Sequence, residues 1–108
     1  MIRTPLPLFA LLALAAGSAD ADVASGKTKS RTLACAVCHG VLGVSTAPDT
    51  PNLAAQPERY IGEQLKAYRG GKRSHEVMSV VARTLTDEDI ADLAAWFSSL
   101  QVEAREKP

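Results

Sequence analysis

Apolar residues recur at helical spacing near the C-terminal end of the chain. A threonine, Thr86, stands before a run of three acidic residues, and the helix dipole favours acids in a first turn. The spacing predicts a helix over about 87–100, followed by a polar tail at 101–108 that we expect to fray. The apolar positions are Ile90, Leu93, Ala94, Phe97 and Leu100.

Two further helices are indicated upstream. One begins near Pro57, a residue suited to a first helical turn, and ends at the glycine pair Gly70–Gly71. The other covers about 23–34, although its middle is almost wholly polar. The segment 40–56 is rich in Gly, Pro and Asp and is predicted to be a loop. Since no alternating pattern is long enough for a sheet, we predict an all-α fold.

The first residues have the layout of a secretory signal peptide. Arg3 supplies a positive start, an uncharged apolar run follows at 6–16, and small residues then lead to Ala19 and Ala21. As a helix the run is about 17 Å long, and a bilayer core of ~30 Å needs about twenty residues. We therefore predict a leader at 1–21, cleaved after Ala19 or Ala21, export to the periplasm, and one domain at 22–108 with no stable membrane insertion.

Charge and size limit the classes of function. The chain has 12 Lys+Arg and 12 Asp+Glu among 108 residues, so its formal charge is zero. Nucleic-acid binding proteins usually carry an excess of basic residues. Because this chain has no such excess, we do not expect it to bind nucleic acid. Without its leader the domain is small and has few aromatic residues. Domains of that size often need a disulfide, a metal or a cofactor to complete the core.

A single motif carries the candidate chemistry. Cys35, Cys38 and His39 form the pattern CxxCH, the attachment sequence for c-type haem. Two thiols three residues apart can each add to one vinyl group of the porphyrin, and the adjacent imidazole can then act as the proximal ligand. Covalent capture also holds a cofactor that so small a chain cannot retain by burial alone. We predict one covalently bound haem c.

Other uses of these residues explain the pattern less well. A zinc site needs four ligands, and adjacent Cys38 and His39 would have to share one tetrahedron with Cys35 and His75. A thioredoxin-type dithiol needs a βαβ setting, which the helical pattern lacks. A disulfide between Cys35 and Cys38 suits an exported protein but leaves His39 without a role.

A distal ligand for the iron is less obvious than the proximal one. Met78 is the one Met beyond the leader and lies between the second and last predicted helices. An isolated Met usually fills a core, but haem iron commonly takes a thioether as its distal ligand. His75 is the rival, interpreted as a solvated loop residue. If Met78 is not a ligand, a five-coordinate gas binder or weak peroxidase is the alternative.

Several stretches together resemble small class I cytochromes c, and in particular one haem domain of the periplasmic dihaem c-four-type cytochromes and their monohaem relatives. The likeness covers about 26–100. The stretches are CAVCHG at 35–40, PNLAAQ at 51–56, Tyr60, QLKAY at 64–68, GKR at 71–73, Met78 and LTDEDIADLAAWF at 85–97.

This resemblance implies a fold and a set of site residues. It implies the cytochrome c fold, with the terminal helices crossing beside the haem, and His39 and Met78 as axial ligands. Pro51 matches the family proline whose carbonyl accepts a hydrogen bond from the proximal imidazole and so orients it. The chain departs from the family at Arg31, where an aromatic or apolar residue is common. It also has Trp96 where Tyr is usual, and we expect Trp96 to pack against the haem.

The resemblance also implies a function. We expect a periplasmic carrier that moves single electrons between redox protein partners and has no catalytic residues of its own. The alternative is a haem-bearing subunit of a periplasmic dehydrogenase or reductase complex. A group of basic residues either steers an acidic partner or is scattered surface charge. These residues are Lys27, Lys29, Lys66, Lys72 and Arg73.

Overall fold

The computed structural model describes residues 1–2 and 21–108. Within them the chain forms helices and no strand, which confirms the all-α prediction. The apolar run at 6–16 and Ala19 lie outside the described residues. Among the residues described, no helix has both the length and the apolar character needed to cross a membrane. The helices are α1 (Val23–Thr32), α2 (Cys35–His39), α3 (Glu58–Gly70), α4 (Met78–Arg83) and α5 (Asp87–Ser99).

The three predicted helices are present, and residues at their boundaries explain where they begin or end. Helix α5 begins with a capping box, in which Thr86 Oγ1 accepts from the Asp89 N–H and Asp89 Oδ2 accepts from the Thr86 N–H, both at 3.0 Å. Helix α3 follows Pro57 and is capped at its C-terminal end by Gly71, which has a φ of +81°. Helix α1 ends two residues before the predicted boundary, because the backbone turns at Ala34 with a φ of +64°.

Two short helices are absent from the sequence prediction. Helix α2 contains the CxxCH motif itself, which directly follows the helix predicted over about 23–34. Helix α4 begins at Met78, after a turn in which His75 Nδ1 accepts from the backbone N–H groups of Val77 and Met78, at 3.2 and 3.3 Å. Helices of five or six residues are too short to show a hydrophobic period.

Helix α5 is the centre of the fold and packs against α1 and α3. Its predicted inward face is confirmed, since Ile90, Leu93 and Phe97 are fully buried. The crossing with α1 depends on Gly26, which is buried. A Cβ there would overlap the backbone oxygen of Asp92 and lie 2.7 Å from the Cβ of Trp96. The two helices therefore touch backbone to backbone.

A polar network also joins α1 to α5. Asp92, whose side chain is 4% exposed, accepts from Lys29 Nζ at 2.7 Å and from the backbone N–H of Asp22 at 2.8 Å. Lys29 Nζ also lies 3.0 Å from Asp89 Oδ1. The Asp22 N–H and then Lys29 lower the pKa of Asp92, and Asp92 raises the pKa of Lys29 to about 12. Lys29 therefore stabilises the fold through these ion pairs. It is not available to steer an acidic partner, which corrects the expectation for this residue.

Candidate cofactor site

A cavity of about 380 Å³ lies among α2, α3, α4, α5 and the loop at 49–56. Its volume is within the range of ligand and cofactor pockets. Most of its wall is apolar, so it can bury the hydrophobic surface of a bound group. The apolar lining includes Leu33, Leu53, Ile61, Leu65, Leu93 and Phe97.

The two cysteines lie on the wall of this cavity. Cys35 is half-buried and packs against the core, whereas Cys38 is exposed, and the two thiols are not joined in a disulfide. Burial raises the pKa of the Cys35 thiol. The backbone on either side of α2 has positive φ, at Ala34 and at Gly40. A Cβ on Gly40 would overlap the backbone oxygen of Val44, so this turn requires glycine.

The imidazole of His39 is buried and has a defined proton position. His39 Nδ1 lies 2.8 Å from the carbonyl oxygen of Pro51. Because a carbonyl only accepts, Nδ1 is the protonated nitrogen, and in the neutral ring Nε2 keeps a free lone pair for a metal. The structure thus contains the contact to Pro51 that the family resemblance implies.

Met78 and His75 both line the cavity. Met78 is half-buried at the start of α4, and Val81 lines the cavity from the next turn. His75 is exposed, and its Nδ1 is engaged by two backbone N–H groups. The structure therefore brings five of the predicted site residues to one cavity. They are Cys35, Cys38, His39, Pro51 and Met78.

Trp96 is elsewhere. It is buried against α1, with the Lys27 ammonium 5.7 Å from the ring centroid, and its indole Nε1 has no hydrogen-bond partner within residues 1–2 and 21–108. The cavity is lined from α5 by Leu93 and Phe97, which share one helical face because they are four residues apart. Trp96, adjacent to Phe97, points to a different side. This corrects the prediction that Trp96 packs against the haem.

A polar group at the edge of the cavity joins residues that the sequence did not connect with one another. Arg73 donates to Gln64 Oε1 at 2.6 Å, and its guanidinium lies 4.6 Å from the ring centroid of Tyr68. All three residues line the cavity, together with Tyr60. The i, i+4, i+8 spacing of residues 60, 64 and 68 is a signal for one shared helix face, but only the fold shows that Arg73 joins it.

Comparison with known proteins places this geometry in a family. Residues 23–101 match the family model for cytochrome c. The chain belongs to the cytochrome c family. Over 81 residues it is 44% identical to cytochrome c-554(548) of Halomonas halodenitrificans, a match that covers 72% of this chain and 95% of that protein. Over 88 residues it is 43% identical to cytochrome c4 of Pseudomonas aeruginosa, covering 82% of this chain and 41% of that one.

A solved structure shares the fold. The cytochrome c4 of Acidithiobacillus ferrooxidans, for which a complex-induced tuning of electron transfer is described, superposes with a TM-score of 0.69 at 33% identity. The match covers 79% of this chain and 53% of that one. This cytochrome c domain thus spans nearly all of the c-554(548) relative and about half or less of the cytochrome c4 relatives.

The family assignment identifies the cofactor. Cytochromes c bind haem c covalently through the two cysteines of CxxC, here Cys35 and Cys38. The arrangement of side chains in the cavity is also suited to haem c. Two unpaired thiols and an imidazole with a free Nε2 line one apolar cavity, and these are the groups that covalent attachment and iron ligation require.

Proposed function

We propose that this chain is a periplasmic monohaem electron carrier with His39 and Met78 as the axial ligands of the iron. The observation that carries the proposal is the shared cavity: His39 from α2 and Met78 from α4 line it together with both cysteines. Helices α2 and α4 are separated by the whole of α3, so no local pattern brings these two side chains together.

The residues around the cavity suit reversible one-electron chemistry. When bound, haem supplies a one-electron change at its iron. The bond from His39 Nδ1–H to Pro51 holds the imidazole in one orientation and one tautomer. A thioether such as that of Met78 is a soft ligand that favours the ferrous state, and apolar walls disfavour the extra charge of the ferric state. Both effects raise the reduction potential.

An exposed apolar surface supports exchange of electrons with protein partners. Val37 lies within the attachment motif and Val41, Leu42 and Val44 follow it closely in sequence, and each is more than half exposed. Exposed apolar side chains grouped on one surface are typical of interaction sites. We propose that a redox protein docks here, next to the cysteines that hold the haem. We propose no catalytic residue, and the electron-transfer description of the Acidithiobacillus relative supports the same function.

The leader supports export. Its positive start, apolar run and small residues before Asp22 have the arrangement of a signal peptide. The periplasm is an oxidising compartment, where thiols not captured by a cofactor form disulfides. Capture of Cys35 and Cys38 by haem prevents that reaction.

Isolation of the protein from a periplasmic extract tests the proposal. We expect a polypeptide that carries one haem by intact mass and keeps it through acid–acetone extraction, with a weak far-red band in the ferric spectrum from sulfur–iron ligation. We expect elution at the size of a small free protein. Extractable haem contradicts covalent attachment, and co-elution with a dehydrogenase or reductase favours the subunit alternative.

A further inference from the structure

Asp92 is a buried carboxylate whose two oxygens have separate partners. Oδ2 accepts from the ammonium of Lys29 at 2.7 Å. Oδ1 accepts at 2.8 Å from the backbone N–H of Asp22, a residue 70 positions earlier in the chain. One partner of this buried anion is thus charged and the other is a neutral amide, and that amide stands where the predicted leader ends.

The charges around this contact are unbalanced. Asp22, Asp89 and Asp92 contribute three carboxylates, and among residues 21–108 Lys29 is the one cation within ion-pair distance of Asp89 and Asp92. Lys27, the next cation on α1, instead lies over the ring of Trp96. Because an ion pair is stronger where water is excluded, a second positive charge beside Asp92 would stabilise the fold.

The sequence can supply that charge. Ala19-Asp20-Ala21 has the A-x-A pattern recognised by signal peptidases, and it ends directly before Asp22. Hydrolysis of the Ala21–Asp22 bond adds water, leaves a carboxylate on Ala21, and turns the Asp22 nitrogen into an amine that takes up a proton. A cut after Ala19 leaves the same nitrogen a neutral amide.

We propose that the leader is removed between Ala21 and Asp22, and that the new α-ammonium of Asp22 forms an ion pair with Asp92 that joins α1 to α5. The inference rests on the proposed export, since only removal of the leader creates this amine. The nitrogen that gains the charge is already 2.8 Å from Asp92 Oδ1. A charge-assisted hydrogen bond is about twice as strong as a neutral one.

The cut leaves the start of α1 intact. Asp22 caps this helix, with Oδ1 accepting from the Ala24 N–H at 2.9 Å and Oδ2 accepting from Ser25 Oγ at 2.8 Å. A positive charge at a helix N-terminus opposes the helix dipole. Here the carboxylates of Asp22 and Asp92 are both next to the new ammonium and offset that effect.

Intact mass and N-terminal sequencing of the periplasmic holoprotein test the position of the cut. We expect a chain that begins at Asp22. A chain that begins at Asp20 overturns this inference and leaves export standing. A chain that retains residues 1–21 overturns both.

Denaturant unfolding of two holoproteins tests the ion pair: one begins at Asp22, and the other keeps Ala21 through an altered leader. We expect the unfolding equilibrium constant of the Asp22 form to be about tenfold smaller, the difference between a charged and a neutral hydrogen bond. In an Asp92→Asn background the difference should fall to about twofold or less, since the anion is lost. In the control, Asp89→Asn, it should persist, because Asp89 makes no contact with the Asp22 nitrogen.

A second readout applies even if Asp92→Asn fails to fold. The Asp22 amine faces its own carboxylate and Asp92, with Lys29 and Asp89 beyond, so its pKa should exceed the ordinary ~8 of an α-amine. At pH 8 it should therefore react with an acylating reagent several-fold more slowly than the amine of the Ala21 form. Equal stability of the two forms, or equal reactivity of their amines, overturns the ion pair.

Discussion

Met78 is the residue on which the proposed electron-carrier function most depends. Met78→Ala should abolish the far-red band of the ferric protein, allow rapid binding of carbon monoxide to the ferrous protein, and lower the reduction potential. The physical reason is that a soft thioether stabilises ferrous iron, and its removal admits harder ligands such as water. Optical spectroscopy and protein-film voltammetry measure the three effects.

His75 provides the matched control for Met78, since both residues line the cavity. His75→Asn should leave the ferric spectrum unchanged, because the Asn side-chain oxygen can still accept from the two backbone N–H groups that His75 Nδ1 binds in the turn before α4. A spectral change in His75→Asn with none in Met78→Ala would make His75 the ligand. If the wild-type protein binds carbon monoxide readily and neither substitution changes the ferric spectrum, a five-coordinate gas binder or peroxidase becomes the favoured function.

Arg73 should adjust the reduction potential through its charge. Arg73→Gln removes a cation from the cavity edge, where a positive charge favours ferrous over ferric haem. We expect the potential to fall by some tens of millivolts, as Coulomb's law gives about 1 kcal/mol at roughly 10–15 Å in a protein-like medium. The control is Arg59→Gln, which removes the same charge from an exposed pair with Glu63 on α3. Equal shifts in both variants would show that only net charge matters.

At the scale of elements, two glycines in helices should respond oppositely to alanine. Gly26→Ala places a methyl group against the Asp92 backbone oxygen and Trp96, so α1 must move away from α5, at a cost of about 1–3 kcal/mol. Gly62→Ala in α3 meets nothing within 4 Å and gains helix propensity, which should stabilise by about 0.5–1 kcal/mol. Denaturant unfolding of the two variant holoproteins measures the change in the free energy of unfolding caused by each substitution. A tolerated Gly26→Ala would mean that the helices do not touch as described.

The helices themselves were predictable to different degrees. Helices α3 and α5 have long periodic faces and clear end signals, so their bounds agree with the prediction within a residue or two. Helix α4 has no such signal: its start is held by His75, and its residues are ordered by packing against α3. Short elements depend on tertiary neighbours because one or two turns form too few bonds to be stable alone.

At the scale of the whole molecule, the cofactor should be required for folding. A cavity of about 380 Å³ borders the core residues Ile61, Leu93 and Phe97, and without haem these side chains lose their partners. The double variant Cys35→Ser, Cys38→Ser, isolated without haem, should therefore lose most of its helical circular dichroism. Val37→Ser, which changes an exposed position inside the same motif, should keep both haem and fold. A well-folded apoprotein would contradict this expectation.

The sequence by itself determined the features that depend on neighbours along the chain. Helical spacing, the capping box at Thr86 and the attachment chemistry of Cys35, Cys38 and His39 all follow from residues within a few positions of one another. The resemblance to class I cytochromes c added the cytochrome c fold, and the family match confirms both that fold and the haem c that the attachment motif predicted. The shared cavity agrees with its implied ligand set, which stays a prediction.

Tertiary structure decided what depends on segments distant in sequence. Periodicity placed Phe97 on the inward face of α5, but only the crossing with α1 shows that Trp96 packs at the helix interface and not at the cavity. Arg73 resembled the other basic residues until the fold set it beside Gln64. Asp92 is an acid on a helix whose periodic apolar face does not include it, yet it is buried and accepts a hydrogen bond from a residue 70 positions away. Composition and periodicity do not contain such contacts, because they arise from the geometry with which helices pack.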